Sequence, residues 1–339
     1  MDRYANIKPW NHNRVRLRVP PGQLDYVNAS TIELASPSDR SRPPLRYIAM
    51  QGPTEPSIPY VWRMISEQVK SPVVIVQLTN YVENGHIKCD QYFPDGHEGE
   101  TWELNEDDVW EDGWRATLTF EALEFVGDGS IEKSRLRLDV EGEDQPIVVW
   151  HFLYTKWPDF GVPGLDDLDS FFELMRLSRE HSSPAGPRIV HCSAGVGRTG
   201  TFISLEHLIR ELDVSGLCDP QMNGNVKPKP YDAYDPVFIT VDKLRQQRRG
   251  MVQGDPQYRF IYQVMRKLWE DRHRNLVPDE DDDEDMAEGG ASIQRQDDAA
   301  SKSDVGSDPF YEQDNNDDDE DDDDGGAQVK QDAMVDGKL

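Results

Sequence analysis

Residues 188–209 constrain this chain more than any other stretch. A short apolar strand, Arg188-Ile189-Val190, runs into His191-Cys192-Ser193-Ala194-Gly195-Val196-Gly197-Arg198-Thr199-Gly200 and leaves as the helical run Thr201-Phe202-Ile203-Ser204-Leu205-Glu206-His207-Leu208-Ile209. A strand that turns through glycines into a helix N-terminus makes a nest of backbone N–H groups, a cradle suited to a tetrahedral oxyanion. Cys192 sits at the mouth of that nest, in the positive end of the helix dipole, which favours its thiolate and makes it a nucleophile. Arg198 can lay its planar fork on two phosphate oxygens. A structural cysteine near an unrelated arginine is the alternative, and the glycines, the flanking His191, the Thr199 hydroxyl and the strand–loop–helix setting argue against it. The stretch points to phosphate chemistry through a cysteine.

Charge divides the chain in two. Of its formal −29, residues 278–339 contribute 24 acidic against 4 basic side chains, a net −20, and leave −9 to residues 1–277. Runs such as 279–285 and 317–324, with almost no large apolar side chains, cannot bury enough surface to order themselves. A disordered acidic tail is therefore expected over 278–339, beyond a folded unit of residues 1–277. So negative a protein is a poor partner for nucleic acid. Cys89, Cys192 and Cys218 show no paired spacing, which fits free thiols in a reducing compartment. The first residues carry no apolar signal region, and no run approaches the ~20 apolar residues of a membrane span. The expectation is a soluble protein, cytoplasmic or nuclear, acting as a monomer.

The folded part alternates between two periodicities. Residues 60–70 carry Val61, Met64, Ile65 and Val69 at helical spacing, and Val73-Val74-Ile75-Val76-Gln77-Leu78 reads as a strand buried on both faces. Alternating segments at 116–125, 135–140 and 147–154 read as antiparallel strands of the same sheet, and 165–180 as a helix. Asp235-Pro236 and Asp255-Pro256 each set an N-cap carboxylate before a first-turn proline, predicting helices to about 249 and 274. The Gly- and Pro-rich residues 213–233 read as a surface insertion. The fold class expected is α/β, a single domain with a twisted mixed β-sheet flanked by helices.

A thiolate that displaces an alkoxide or phenoxide from phosphorus needs a proton donor for the leaving oxygen. Trp157-Pro158-Asp159-Phe160-Gly161-Val162-Pro163 offers Asp159 on a loop bounded by Pro and Gly, the kind of segment that hinges. A helix-capping aspartate is the other reading of Asp159.

With His191-Cys192, five residues, Arg198 and Thr199, and with that acid loop almost letter for letter, the chain resembles the cysteine-based protein tyrosine phosphatases. The likeness runs from about Arg3 to about Trp269 and is nearest to soluble, non-receptor fungal members. The resemblance implies that family's fold and hydrolysis of protein phosphotyrosine through a cysteinyl-phosphate. It casts Cys192 as nucleophile, Arg198 as phosphate ligand, Asp159 as general acid and then base, and Gln253 as the residue that orients water, with Gln257 assisting. Ser193, Ala194, Gly195, Val196 and Gly197 would cradle the phosphate. Tyr4 would wall a deep cleft and stack on the substrate ring, and Asn6 would contact the substrate backbone. His191 is expected to support the thiolate by hydrogen bonding, Thr199 and Trp157 to support the site, Glu83 to pair with Arg198, and Lys88 to approach the acid loop. Gln51-Gly52-Pro53 is read as structural, and Cys89 and Cys218 as inert.

Two departures from the family pattern follow. Gly254 stands where relatives carry Thr, which would loosen the Gln253 loop, and the N-terminal helices that precede Tyr4 in relatives are missing from these residues, so Tyr4 is expected to lack their support. No metal-ligand spacing is visible, and no metal or cofactor is expected. The resemblance to fungal members, some of which act on mitogen-activated protein kinases, suggests that partner class. Two alternatives stand beside this reading: a phosphatase of broader specificity, dual-specificity or acting on phosphoinositides, and an inactive phosphotyrosine-binding module. Tyr311 in the acidic tail is a candidate pseudosubstrate.

Overall fold

Val73–Gln77, a run of buried β-branched side chains ending in a glutamine, lies near the middle of a nine-stranded sheet. The computed structural model describes residues 1–159, 161–184, 186–215 and 235–274. In chain order these form β1 (Arg14–Arg16), β2 (Tyr26–Leu34), β3 (Leu45–Met50), α1 (Ile58–Gln68), β4 (Val73–Gln77), β5 (Val82–Glu83), β6 (His86–Ile87), β7 (Thr101–Leu104) and β8 (Ala116–Val126). They continue with β9 (Ile131–Val140), β10 (Ile147–Tyr154), α2 (Leu168–Glu180), β11 (Arg188–His191), α3 (Gly197–Ser215), α4 (Pro236–Gln247) and α5 (Asp255–Arg274). The expected insertion lies outside the described residues except for its start, 213–215, which continues α3. Cys218, Tyr311 and the acidic tail lie wholly outside them.

The sheet order is β1-β2-β3-β11-β4-β10-β9-β8-β7. Its four central strands, β3, β11, β4 and β10, run parallel, and antiparallel pairs complete both sides. The sheet is thus mixed, as the sequence implied. Alternate side chains of the central strands face two separate cores. Ile48, Met50, Val73 and Ile75 pack with Val61, Trp62, Met64 and Ile65 of α1. On the opposite face Tyr47, Ala49, Val74, Val76 and Val190 pack with Phe171 of α2, Phe202 of α3, Val241 of α4 and Phe260 of α5. Each fully buried Val, Ile or Phe contributes about 1.5–3 kcal/mol of transfer free energy. In an open α/β sheet the ligand crevice lies beyond the carboxyl ends of parallel strands. Here those ends deliver Gln51 from β3, Leu78 from β4, Trp157 and Asp159 from β10, and Cys192 from β11.

Boundaries moved where local chemistry overrode the periodic pattern. Residues 165–167, expected as the first turn of a helix, form a separate 3₁₀ turn before α2. The α4 cap is as expected: Asp235 Oδ1 accepts the N–H groups of Val237 and Phe238 at 2.9 and 3.0 Å, a contact worth about 1 kcal/mol. α5 instead begins at Asp255 itself, and Gln257 Oε1 accepts the Gln253 and Gly254 N–H groups just before it.

Candidate active site

The loop after β11 and the start of α3 press against neighbouring backbone at two glycines that admit no side chain. Gly195 has φ +70°, and a Cβ there would land on the Met50 carbonyl. At Gly200 a Cβ would lie 2.5 Å from the Val252 amide nitrogen. The loop carbonyls are held from below: Arg248, fully buried, donates Nε to Gly195 O at 2.8 Å and Nη2 to Ala194 O at 3.2 Å. Nη2 also donates to Asn28 Oδ1 and Nη1 to Ser30 Oγ. Burial pulls the Arg248 guanidinium down to about 10, outweighing the opposing charges of Cys192, Tyr26 and Asp2. With its carbonyls tied back, the loop is fixed around Cys192, which is 4% exposed.

Thr199 Oγ1 donates to the Cys192 sulfur at 3.4 Å. His191 reaches only the main chain of Cys192: its Nδ1 lies 3.2 Å from the Cys192 carbonyl oxygen and its Nε2 3.0 Å from the Tyr92 hydroxyl. Burial lowers His191 to about 4, so the ring is neutral at pH 7. A neutral ring so placed fixes the backbone beneath the sulfur and makes no direct bond to it.

Arg198 is gripped at both tips. Nη1 and Nη2 meet Glu83 Oε1 and Oε2 at 2.6 and 2.7 Å, and Nη1 also donates to Leu78 O at 3.0 Å. Burial disfavours its charge, but the Glu83 bonds prevail and raise its basicity. Nη2 further meets Pro158 O and Asp159 Oδ1, both at 3.3 Å. The acid loop is therefore folded onto the arginine. Trp157 anchors it: its ring is buried against Phe171, and its Nε1 donates to Gly161 O at 3.0 Å.

The other Asp159 oxygen, Oδ2, faces Lys88 Nζ at 3.3 Å and accepts from Asn84 Nδ2 at 3.0 Å. Burial pushes the Asp159 carboxyl up, yet hydrogen bonds involving Lys88, Glu83 and Asn84 and the Lys88 charge outweigh it and hold the group below the ordinary carboxylate range.

Tyr4 stands at the rim, its hydroxyl 2.8 Å from Ser193 Oγ. Its support comes from the chain's first residues. Arg3 bonds to Gln51, Gly52, Ile87, Pro53 and Asp90, and Asp2 accepts from Tyr26 and Asn28. These bonds seat the arm that carries Tyr4. Gly52, read as structural, donates its N–H to Ser193 O at 2.8 Å and joins this arm to the cysteine loop. Asn6 is exposed beside Tyr4.

Gln253 is exposed, with its backbone N–H on Gln257 Oε1. Gln257 also packs over Gly197, where a Cβ would meet its amide at 2.9 Å. Val252, next to Gln253, holds φ +56° with a β-branched side chain, a conformation that costs about 1–3 kcal/mol. Its N–H is fixed on Val196 O at 3.1 Å.

Cys192, Arg198, Asp159, Glu83, Lys88, Thr199 and Tyr4 thus lie together around the loop after β11. Arg248, Tyr92 and Asn84 were missed. For Arg248 a signal existed, since it continues the buried face of α4 set by Val241 and Leu244. For Asn84 there was none, because Asn-Gly reads simply as a turn.

These features bring a buried cysteine, a carboxylate-held arginine and an aspartate together at the carboxyl edge of an α/β sheet. The family model for protein-tyrosine phosphatase matches residues 1–267. Tyrosine-protein phosphatase 1 of Saccharomyces cerevisiae is 34% identical over 280 residues, covering 79% of this chain and 82% of that protein. Tyrosine-protein phosphatase 2 of Schizosaccharomyces pombe is 34% identical over 269 residues, covering 78% of this chain and 33% of its own. The human receptor-type tyrosine-protein phosphatase H is 35% identical over 289 residues, covering 83% of this chain and 22% of its own. The chain thus spans a third or less of the last two. It belongs to the protein-tyrosine phosphatase family. Among the described residues no helix is long and apolar enough to cross a membrane.

Proposed function

We propose that this chain hydrolyses phosphotyrosine in proteins in two steps. The Cys192 thiolate attacks phosphorus, the bond from phosphorus to the tyrosyl oxygen breaks, and Asp159 gives its proton to that oxygen. Asp159, now a carboxylate, takes a proton from a water held by Gln253. The water oxygen bonds to phosphorus, the P–S bond breaks, and inorganic phosphate leaves a thiolate that the Thr199 hydroxyl stabilises. Arg198 and the loop N–H groups from Ser193 to Gly197 carry the phosphoryl charge in both steps.

The observation that carries this reading is the 3.3 Å contact between Asp159 Oδ1 and Arg198 Nη2. It brings the acid to the phosphate ligand from a separate loop, on a scaffold that also holds Cys192. In the free protein Asp159 is ionised; an arriving phosphate dianion competes for Arg198 and adds negative charge, and both effects raise the proton affinity of Asp159. The Tyr4–Ser193 contact supports selectivity for phosphotyrosine, because a cleft walled by a ring favours a long aromatic substrate side chain. The enzyme is assigned to the cytoplasm or nucleus as a monomer. Mitogen-activated protein kinases are the partner class suggested by the resemblance to fungal phosphatases.

The test compares phosphate release from matched phosphotyrosine and phosphothreonine peptides. Release from phosphotyrosine alone is expected. Equal rates on both would replace this reading with a broader specificity, and release from neither would leave a binding module.

A further inference from the structure

Asn84 and Gly85 form the two-residue turn between β5 and β6, with Glu83 paired to His86 across it. Their φ values of +49° and +78° match the type I′ turn that Asn-Gly favours. Turn chemistry alone accounts for the backbone, but not for the side chain. The Asn84 amide leaves the hairpin to donate to Oδ2 of Asp159, 75 residues away in sequence, at 3.0 Å. Lys88, from the same hairpin, faces that same oxygen at 3.3 Å, while Arg198 takes Oδ1. The two carboxylate oxygens therefore have different neighbours: the hairpin holds Oδ2, and the phosphate ligand holds Oδ1.

We propose that Asn84 is a positioning residue for the general acid, holding Oδ2 so that Oδ1 is the oxygen that carries the proton to the leaving group. This rests on the phosphatase reading above. When a phosphoryl group draws Arg198 Nη2 away, Oδ1 loses its donor and becomes the free site for a proton. Oδ2 keeps two donors, and a proton there would have to displace one of them. An amide donor bonds to the carbonyl oxygen of a neutral acid as well, though more weakly than to a carboxylate, so Asn84 stays bonded through the transfer. The charged groups facing Asp159 are Lys88 after β6, Glu83 of β5 and Arg198 of α3, and Glu83 is already engaged by Arg198. Asn84 is the neutral donor of the set.

Two substitutions remove the donor and keep a turn-compatible residue. Asn84→Gly deletes the amide, and Asn84→Asp replaces it with a like charge. The direct readout is the titration of the Asp159 carboxyl by ¹³C NMR in the ligand-free protein, assigned with Asp159→Asn. The midpoint is expected to rise by about half a pH unit in Asn84→Gly and by about one unit in Asn84→Asp. With aryl phosphates, kcat should fall several-fold for poor leaving groups and little for good ones, and the basic limb of the kcat profile should move to higher pH. A residue that only shapes the turn would move neither the titration nor the leaving-group dependence. Unmoved midpoints in both variants overturn the inference, whatever the activity. A wild type that releases no phosphate from phosphotyrosine peptides would overturn the reading of function instead, and the NMR result would still stand.

Discussion

Glu83→Gln probes whether the arginine is set in place before any substrate arrives. Glu83 Oε1 accepts from Arg198 Nη1 at 2.6 Å, Thr79 Oγ1 at 2.9 Å and Asn80 N–H at 3.1 Å, so an amide oxygen would settle there. The new NH₂ would then face Arg198 Nη2 across the present 2.7 Å, donor against donor. Both side chains are nearly buried, at 6% and 10% exposure. Removing one partner of a buried pair costs about 3–5 kcal/mol; the retained oxygen bonds put this case near the lower end, at about 3 kcal/mol. For a domain of this size that corresponds to a fall in Tm of about 6–12 °C. The catalytic loss should be larger than stability alone explains, because an arginine displaced by about 1 Å can cost on the order of 10²-fold in rate. There is also a signed pH effect. With Glu83 neutralised, Arg198 turns more fully to Asp159 in the free protein, favours its ionised form, and moves the basic limb of kcat/KM to lower pH. Differential scanning calorimetry and kcat/KM for a phosphotyrosine peptide, measured well below the variant's Tm, provide the check. An unchanged Tm together with unchanged kcat/KM would refute the claim that Glu83 presets Arg198.

Three further outcomes follow from the same geometry. Arg248→Met leaves the carbonyls of Ala194 and Gly195 without their donor, so kcat/KM for phosphotyrosine should fall at least tenfold, by about 1.4 kcal/mol or more in transition-state terms; wild-type kinetics would show that the loop holds itself. Gly195→Ala drives a Cβ onto the Met50 carbonyl at a left-handed φ and should abolish both phosphopeptide binding and turnover, a result that isothermal titration of a phosphopeptide would contradict if affinity survived. His151, His191 and His207 are all depressed by burial, the last two to about 4. Their folded forms refuse protons that the unfolded chain takes up near pH 6.5, so the stability they confer is full above that pH and lost as pH falls towards 4. Each should remove up to about 1.4 kcal/mol per pH unit across that window, and urea unfolding at pH 7, 6 and 5 should show a steepening decline that His207→Gln reduces; a flat profile would contradict it.

How much was legible in advance depended on where a residue's partners lay in the sequence. β4 announced itself because each of its residues is buried by neighbours on both faces, and hydrophobicity alone carries that signal. β2 did not, because its pattern is broken by Asn28, Ser30 and Thr31. The first two are buried polar groups satisfied from afar, by Asp2, Ile7 and Arg248. A periodic reading takes such residues for surface. β5 and β6, two residues each, are shorter than any period. The site divides in the same way. Cys192, Arg198 and Asp159 sit in local motifs whose chemistry is specific. Asn84 and Arg248 act through side chains that cross 75 and about 50 residues of sequence, and nothing in their own neighbourhoods names the far partner. Tyr4 belongs with them: the residues that hold its arm, Arg3 and Asp2, do so through Gln51, Asp90, Tyr26 and Asn28, all distant in sequence.

The central claim is that Cys192 forms a covalent bond to phosphorus, and rapid acid quench during turnover of a ³²P-phosphotyrosine peptide tests it most directly. The account predicts label on the peptide that contains Cys192. It also predicts more label in Gln253→Ala, where the second step slows, and none in Cys192→Ser, which should still bind the phosphopeptide. Steady release of phosphate with no label at Cys192, or near-wild-type turnover by Cys192→Ser, would contradict it.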